Sequence, residues 1–480
     1  MQVKVSLNHD ASFRKWLSFA AIAFGTFIGY LDSSIVNIAL PTLTRYFQTD
    51  LSLIKWVVTS YLLMITGLVV IFGRLADMYG RKRLYIFGFI VFIVSSGLCG
   101  ASTTIWSLIV FRCFQGIGAA ALLANGAALI GETFPGKERG KAFGMLASVL
   151  AFAAITGPLV GGFLTEHVGW PSIFYVNVPI GIVGAVLAAK VLPSQERLRS
   201  TERFDFAGAI TLFACLTAFL LLTSALSKSD WELSTVLSLT IATILFATGF
   251  LMIENRVEHA LLDLQIFREW AFSAAALSSF LAYWSIASIA FLVPFYLDRV
   301  LLLDPTRSGA LLAPVPLALV VAAPLGGRLA DRFGIRAIAT TGAVINFFGL
   351  IALSTLNIST GTLGVILRLV PFGIGMGLFQ PPNNTAMMGA VPPNRYGIVS
   401  GMIGALKNLG SMTGVAVTSS VFTIAQLNSM AQLEAKGITG DIAARQAFAS
   451  AVRLTFLLSA LISVVVIFMS LARRKNASKA

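Results

Sequence analysis

Long apolar runs alternate along the chain with short breaks of charged, Pro or Gly residues. The runs cover about 15–40, 52–73, 84–102, 105–131, 141–166, 171–191, 206–227, 233–253, 271–298, 308–328, 337–356, 362–390, 396–426 and 447–472. Their lengths are close to the roughly 20 residues with which an α-helix crosses about 30 Å of hydrocarbon. Backbone groups in lipid must bond within their own segment, so the runs predict helices and not an open sheet. The expectation is an all-α polytopic membrane protein with fourteen spans, short loops and no soluble catalytic domain. A polar leader at 1–11, followed by Arg14 and Lys15, precedes the first run without a small-residue cleavage site. It reads as the start of an uncleaved first helix.

The charged breaks carry an internal repeat. Gly73-Arg-Leu-Ala-Asp77-Met-Tyr-Gly80-Arg81-Lys82-Arg83 packs five charges into eleven residues, and a weaker copy, Gly327-Arg-Leu-Ala-Asp331-Arg-Phe-Gly334-Ile-Arg336, follows 254 residues later. Arg112 aligns with Arg368, and Gly144-Met145 with Thr156-Gly157 aligns with Gly401-Met402 and Thr413-Gly414, at offsets within three residues of the first. The chain therefore divides into a six-helix bundle at 1–191, two inserted helices with linkers at 192–270, and a second six-helix bundle at 271–480. Paired halves around a midplane cavity are the architecture of alternating-access transporters.

Composition excludes several other classes. With 57% hydrophobic and 12% charged residues and a mean hydropathy of +0.84, the chain lies outside the range of soluble domains. A net charge of +14 would suit nucleic acid, but the Lys and Arg are scattered among inter-helix breaks and form no basic domain. They read instead as topology signals, predicting both termini on the cytoplasmic side of a cytoplasmic membrane. Cys99, Cys113 and Cys215 fall inside apolar runs without metal-ligand spacing, which predicts packing roles and no metal site. No nucleotide loop or histidine constellation points to an enzyme.

The motifs resemble those of the major facilitator superfamily, and within it the fourteen-helix drug:proton antiporters. The Gly73 to Arg83 segment fits the superfamily signature. Leu108-x-x-x-Arg112-x-x-Gln115-Gly116-x-Gly118-Ala119-Ala120 resembles the proton-coupling motif of helix 4. Leu31-Asp32-Ser-Ser-Ile-Val-Asn37-Ile-Ala-Leu-Pro41 and Trp170-Pro-Ser-Ile-Phe-Tyr-Val-Asn177-Val-Pro179-Ile-Gly181 resemble segments of the fourteen-helix branch. Gly144, Gly157, Pro158, Gly161 and Gly162 match the antiporter motif of helix 5, with Ala153 standing where that pattern has Gly. The resemblance implies a monomer that exports amphipathic small molecules in exchange for protons, in contact with membrane lipid and without nucleic acid. A proton gradient drives it and no cofactor is involved. It further implies that Gly73, Asp77, Gly80, Arg81, Arg83 and, in weaker form, Asp331 latch the bundles, while the helix 5 glycines and Pro158 permit bending.

Asp32 carries the most weight, because a carboxylate about 17 residues into helix 1 lies some 25 Å along the axis, within hydrocarbon. There it must be paired, hydrated or protonated. Arg112 falls at similar depth, so the two are expected to interact directly or through water. They form the candidate proton-coupling pair; a purely structural ion pair is the plainer alternative. Aligning Pro41 with Pro294 puts Ser285 where the first half has Asp32, so the second half lacks an acidic counterpart. Its intramembrane cations are Arg368 and Lys407, near Tyr283, Trp284 and the polar run Gln380 to Asn384. The residues expected to line the cavity are Asp32, Asn37, Tyr61, Gln115, Tyr283, Trp284, Arg368, Phe379, Asn383 and Lys407. The two cations keep open the export of a lipid or anionic metabolite. A membrane sensor or scaffold without transport is the alternative of another class.

Overall fold

A computed structural model describes residues 2–134, 137–193, 205–226, 232–257, 264–391 and 396–472. Among them there are helices and no strands. They are α1 (Gln2–Tyr46), α2 (Leu51–Tyr79), α3 (Arg81–Gly100), α4 (Ile105–Thr133), α5 (Lys137–His167), α6 (Ser172–Tyr175) and α7 (Asn177–Val191) in the first set. Next in the chain come α8 (Phe206–Leu226) and α9 (Leu233–Glu254). The second set is α10 (Trp270–Arg299), α11 (Pro305–Leu312), α12 (Pro314–Phe333), α13 (Ile335–Ser354), α14 (Thr362–Gly389), α15 (Tyr396–Ala435) and α16 (Gly440–Leu471).

Two of the expected spans are each built from a short helix followed by a longer one. The break before α12 falls where Pro314 opens the new helix, a residue that has no N–H to continue the previous ladder. Thirteen helical stretches among the described residues are long and apolar enough to cross a membrane. The exception to the expected fourteen is α15. It runs 40 residues, well past the predicted end at 426, but Lys407, Asn408, Ser411, Thr413, Thr418, Ser419 and Ser420 interrupt its apolar character. Such a helix cannot face lipid all round, and α15 packs against α2, α10 and α16.

The sequence repeat is also a packing repeat. Gly80 and Gly334 both have positive φ, +97° and +91°, and each turns one helix into the next without a loop. A Cβ on Gly118 would meet Phe92 N and Gly88 O of α3 at 2.6 and 2.9 Å. Its counterpart Gly375 sits as tightly on Asn346 N and Gly342 O of α13, at 2.7 and 2.8 Å. Thus α4 lies on α3 as α14 lies on α13.

The start of α10 bonds to the end of α16, Trp270 Nε1 donating to Ala472 O at 3.2 Å, which marks one membrane face, here the terminal face. At the opposite, distal face the two sets close on each other. Arg45 Nη1 donates to Asp298 Oδ1 at 2.5 Å, and Thr306 N donates to Glu166 Oε2 at 3.0 Å. Between them, Gly162 and Pro158 of α5 lie directly against the backbone of Pro305 and Gly309 in α11. Helix α8 joins this closure: Ser420 Oγ of α15 donates to Thr223 O of α8 at 2.7 Å, and Trp56 Nε1 of α2 to Ser224 Oγ at 3.0 Å. Toward the terminal face, Gly144 of α5 and Gly401 and Gly404 of α15 have nothing within 4 Å of where a Cβ would stand. The space between the sets is therefore shut distally and open terminally.

Candidate functional site

At mid-depth in the first set, five helices converge on one carboxylate. Asp32 of α1 accepts from Arg112 Nη1 at 2.5 Å through Oδ2. Its Oδ1 accepts from Gln115 Nε2 at 2.8 Å and from Asn177 Nδ2 at 2.9 Å. Arg112 and Gln115 stand three residues apart on α4, which brings both to the same face. Asn177 is the first residue of α7, just beyond the break after α6. Arg112 also donates from Nη1 to Gln115 Oε1 at 2.7 Å and from Nε to Val57 O of α2 at 2.9 Å. Ser96 of α3 accepts from Gln115 at 3.1 Å and from Asn177 at 3.3 Å, and donates to Phe174 O at 2.9 Å.

An aromatic floor completes this network. The guanidinium carbon of Arg112 lies 4.1 Å from the Tyr61 ring centroid, while Tyr61 donates its hydroxyl to Gly29 O at 3.1 Å. The pair is closed to solvent, Asp32 being 0% and Arg112 1% exposed. Two opposite charges buried with nearly all their bonds satisfied form a neutral unit, and removing either partner leaves the other stranded. Protonation of the carboxylate is the one chemical change that dissolves the pair without removing an atom.

Tyr30 precedes Asp32 by two residues. At 3.6 residues per turn it points to roughly the opposite side of α1. It is 40% exposed and faces the space between the sets. From the second set Lys407 of α15 approaches it, with Nζ 5.2 Å from the Tyr283 ring centroid and the hydroxyls of Tyr283 and Tyr30 as its nearest ionisable neighbours. Trp284 is half-buried beside Tyr283 on α10, and its Nε1 is buried without a hydrogen-bond partner. Asn37 is half-buried, with Nδ2 donating to Ser33 O at 3.0 Å and Oδ1 unpartnered.

Six of the ten expected cavity residues, namely Asp32, Tyr61 and Gln115 in the ion-pair network together with Arg368, Phe379 and Asn383, do not line the cavity in this structure. Arg368 lies six residues into α14 from its distal end and turns back toward the loop, donating to Thr355 Oγ1 and Gly364 O, each at 2.9 Å. A long side chain near a membrane edge reaches the edge, so this residue braces the α13–α14 connection. Phe379 is buried where α14 crosses Gly342 of α13. Asn383 is buried and donates to Ala275 O at 3.0 Å, tying α14 to α10. Tyr61 and Gln115 serve the ion pair and are closed to the open space.

At the terminal face Arg81 pairs with Glu132, Lys82 Nζ donates to Leu192 O at 2.6 Å, and Arg83 and Asp331 are exposed. The Asp77 side chain lies outside the described residues. In α5, Gly157 and Gly161 lie against Ser34, Ile35 and Ile38 of α1, while Gly162 and Pro158 make the distal contact with α11. The sequence reading missed Tyr30 and Ser96, and quoted Asn177 without giving it a role.

The sequence model of the Major Facilitator Superfamily matches residues 22–415. Among curated proteins, the chain is 34% identical to the riboflavin transporter RibZ of Clostridioides difficile over 409 residues, 85% of this chain and 88% of that one. It is 31% identical to the multidrug resistance protein Stp of Mycobacterium tuberculosis, over 84% of this chain and 75% of that one. With the multidrug transporter protein MdtP of Bacillus subtilis the identity is 27%, over 85% and 75%. Among solved structures, a bacterial homolog of the human lysosomal transporter Spinster, inward-facing and unoccupied, superposes with a TM-score of 0.69 at 14% identity, covering 95% of this chain and 97% of that one.

Proposed function

The chain belongs to the major facilitator superfamily, and from that premise we propose that it is a proton-coupled antiporter exporting amphipathic compounds across the cytoplasmic membrane. A member of this family is a multi-pass membrane transporter and not an enzyme. The observation that carries the finer reading is the buried Asp32, held by Arg112, Gln115 and Asn177 on the side of α1 opposite Tyr30. When Asp32 takes up a proton it loses its charge, and Arg112 is left as an uncompensated cation in low dielectric. The helices that present these groups then favour another arrangement, and α1 links the change to the vestibule wall through Tyr30. Alternating protonation and cargo release, with the sets rocking about the distal contacts, gives exchange.

Orientation follows from charge. The terminal face carries Arg14, Lys15, Arg81, Lys82, Arg83, Arg328, Arg332 and Arg336, and the positive-inside rule assigns it to the cytoplasm. The state described here is then open inward. Each proton charge entering is driven by about 2.3 kcal/mol per 100 mV of membrane potential. The names of Stp and MdtP support a drug-like cargo for those proteins, and that of RibZ a flat heteroaromatic one.

The test is Asp32→Asn in proteoliposomes with an imposed pH gradient. The expected result is a protein that still inserts into the membrane but loses substrate-dependent proton movement. Normal exchange by this variant would reassign Asp32 and Arg112 to a structural role.

A further inference from the structure

Charge in the vestibule is unbalanced, and the imbalance sits on one wall. On the first set the intramembrane carboxylate Asp32 is fully buried and taken up by Arg112, Gln115 and Asn177. On the second set Lys407 stands 11 residues into α15, about 17 Å along its axis. The stretches 270–297, 362–389 and 396–433, which make up the membrane-spanning parts of α10, α14 and α15, contain no Asp or Glu. The ionisable groups that face Lys407 are the hydroxyls of Tyr283 on α10 and Tyr30 on α1. An intramembrane ammonium takes a partner or marks a pathway. No carboxylate of the described residues partners Lys407, so its counter-charge comes from what enters the vestibule.

The surroundings of Lys407 narrow the chemistry further. Gly410 and Gly414, one and two turns along the same face of α15, press against α10, and a Cβ on Gly410 would stand 3.2 Å from Tyr283 Cβ. This close approach sets the Tyr283 ring beside the ammonium, while Trp284 packs against Gly414. Across the gap Tyr30 presents a ring that is 40% exposed. Among the described residues, the wall offers flat aromatic surface and hydrogen-bond donors, with positive charge and no carboxylate.

We propose that Lys407 is the specificity-determining residue of transport, receiving the carboxylate or phenolate edge of a planar aromatic anion whose ring lies against Tyr30 and Tyr283. The proposal rests on the export reading and names the class of cargo within it. A cationic aromatic compound meets repulsion at the same point, and a long-chain lipid offers no ring for the tyrosines.

Fluorescein and rhodamine 6G share a xanthene ring and differ in charge, so the pair isolates the effect of Lys407. Fluorescence anisotropy on the purified, unmodified protein is expected to give tighter binding of fluorescein. Equal binding, or a preference for rhodamine 6G, overturns the proposal without any variant. In Lys407→Gln the ratio of fluorescein to rhodamine 6G affinity is expected to fall about tenfold or more, and Lys407→Arg to restore most of it. An unchanged ratio in Lys407→Gln, or displacement of bound fluorescein by phospholipid but not by an aromatic acid such as naphthoate, also overturns it. Binding is measured without a pH gradient. A preserved fluorescein preference with no proton-driven flux therefore refutes the coupling and leaves this assignment standing, and proton-driven flux without the preference does the reverse.

Discussion

Asp32 and Arg112 hold each other at a depth where neither is stable as a lone charge. Truncating Arg112 to Ala strands the carboxylate in the core, and the expected loss is about 3–5 kcal/mol, read as a lowered unfolding temperature in detergent. Arg112→Lys is expected to recover only part of it. One ammonium cannot serve Asp32, Gln115 and Val57 O together while lying flat on Tyr61. The contact between Asp32 and Arg112 was legible in the sequence because intramembrane charges are rare and their depths can be counted. Ser96 was not, because a hydroxyl on an apolar helix usually bonds its own backbone and nothing in the chain says which way it turns. Tyr30 was within reach: a wheel drawn through Asp32 puts it on the opposite side. Arg368 was placed among the intramembrane cations beside the cavity, whereas its guanidinium turns back to the loop.

At the scale of elements, helix contacts depend on where side chains are missing. Gly118→Ala places a methyl carbon 2.6 Å from Phe92 N, so α3 and α4 must separate. A loss of about 1–3 kcal/mol is expected. Gly73→Ala, though it alters the signature segment, meets nothing within 4 Å and is expected to stay within about 0.5 kcal/mol of the parent. Thermal unfolding of the two variants side by side checks the contrast. The positions of the spans were legible from apolar runs, since lipid imposes both length and composition. The extent of α15 was not, because its polar residues serve the protein interior and its last turns leave the apolar stretch while remaining helical. The break between α6 and α7 was hidden inside a single apolar run.

For the whole molecule, the sequence repeat anticipated that α4 and α14 pack alike, but not which face of the membrane is shut. That follows from contacts between residues far apart in the chain, such as Arg45 with Asp298 and Gly162 with Pro305. Replacing Arg45 and Asp298 by Cys and bridging them with a cleavable bifunctional thiol reagent is expected to arrest transport in proteoliposomes. Cleavage of the bridge is expected to restore it, whereas undiminished flux in the bridged protein would mean that the distal contacts do not part during turnover. Helix α8 bears on the same movement. Thr223 O, near the end of α8, is bonded by Ser420 of the second set and approached at 3.5 Å by Lys55 Nζ of the first. A rod fastened at one tip to both jaws cannot ride with either alone. If the jaws part at that end, one fastening must let go, and the rod would then set how readily the mouth opens outward while leaving the choice of passenger to the walls within.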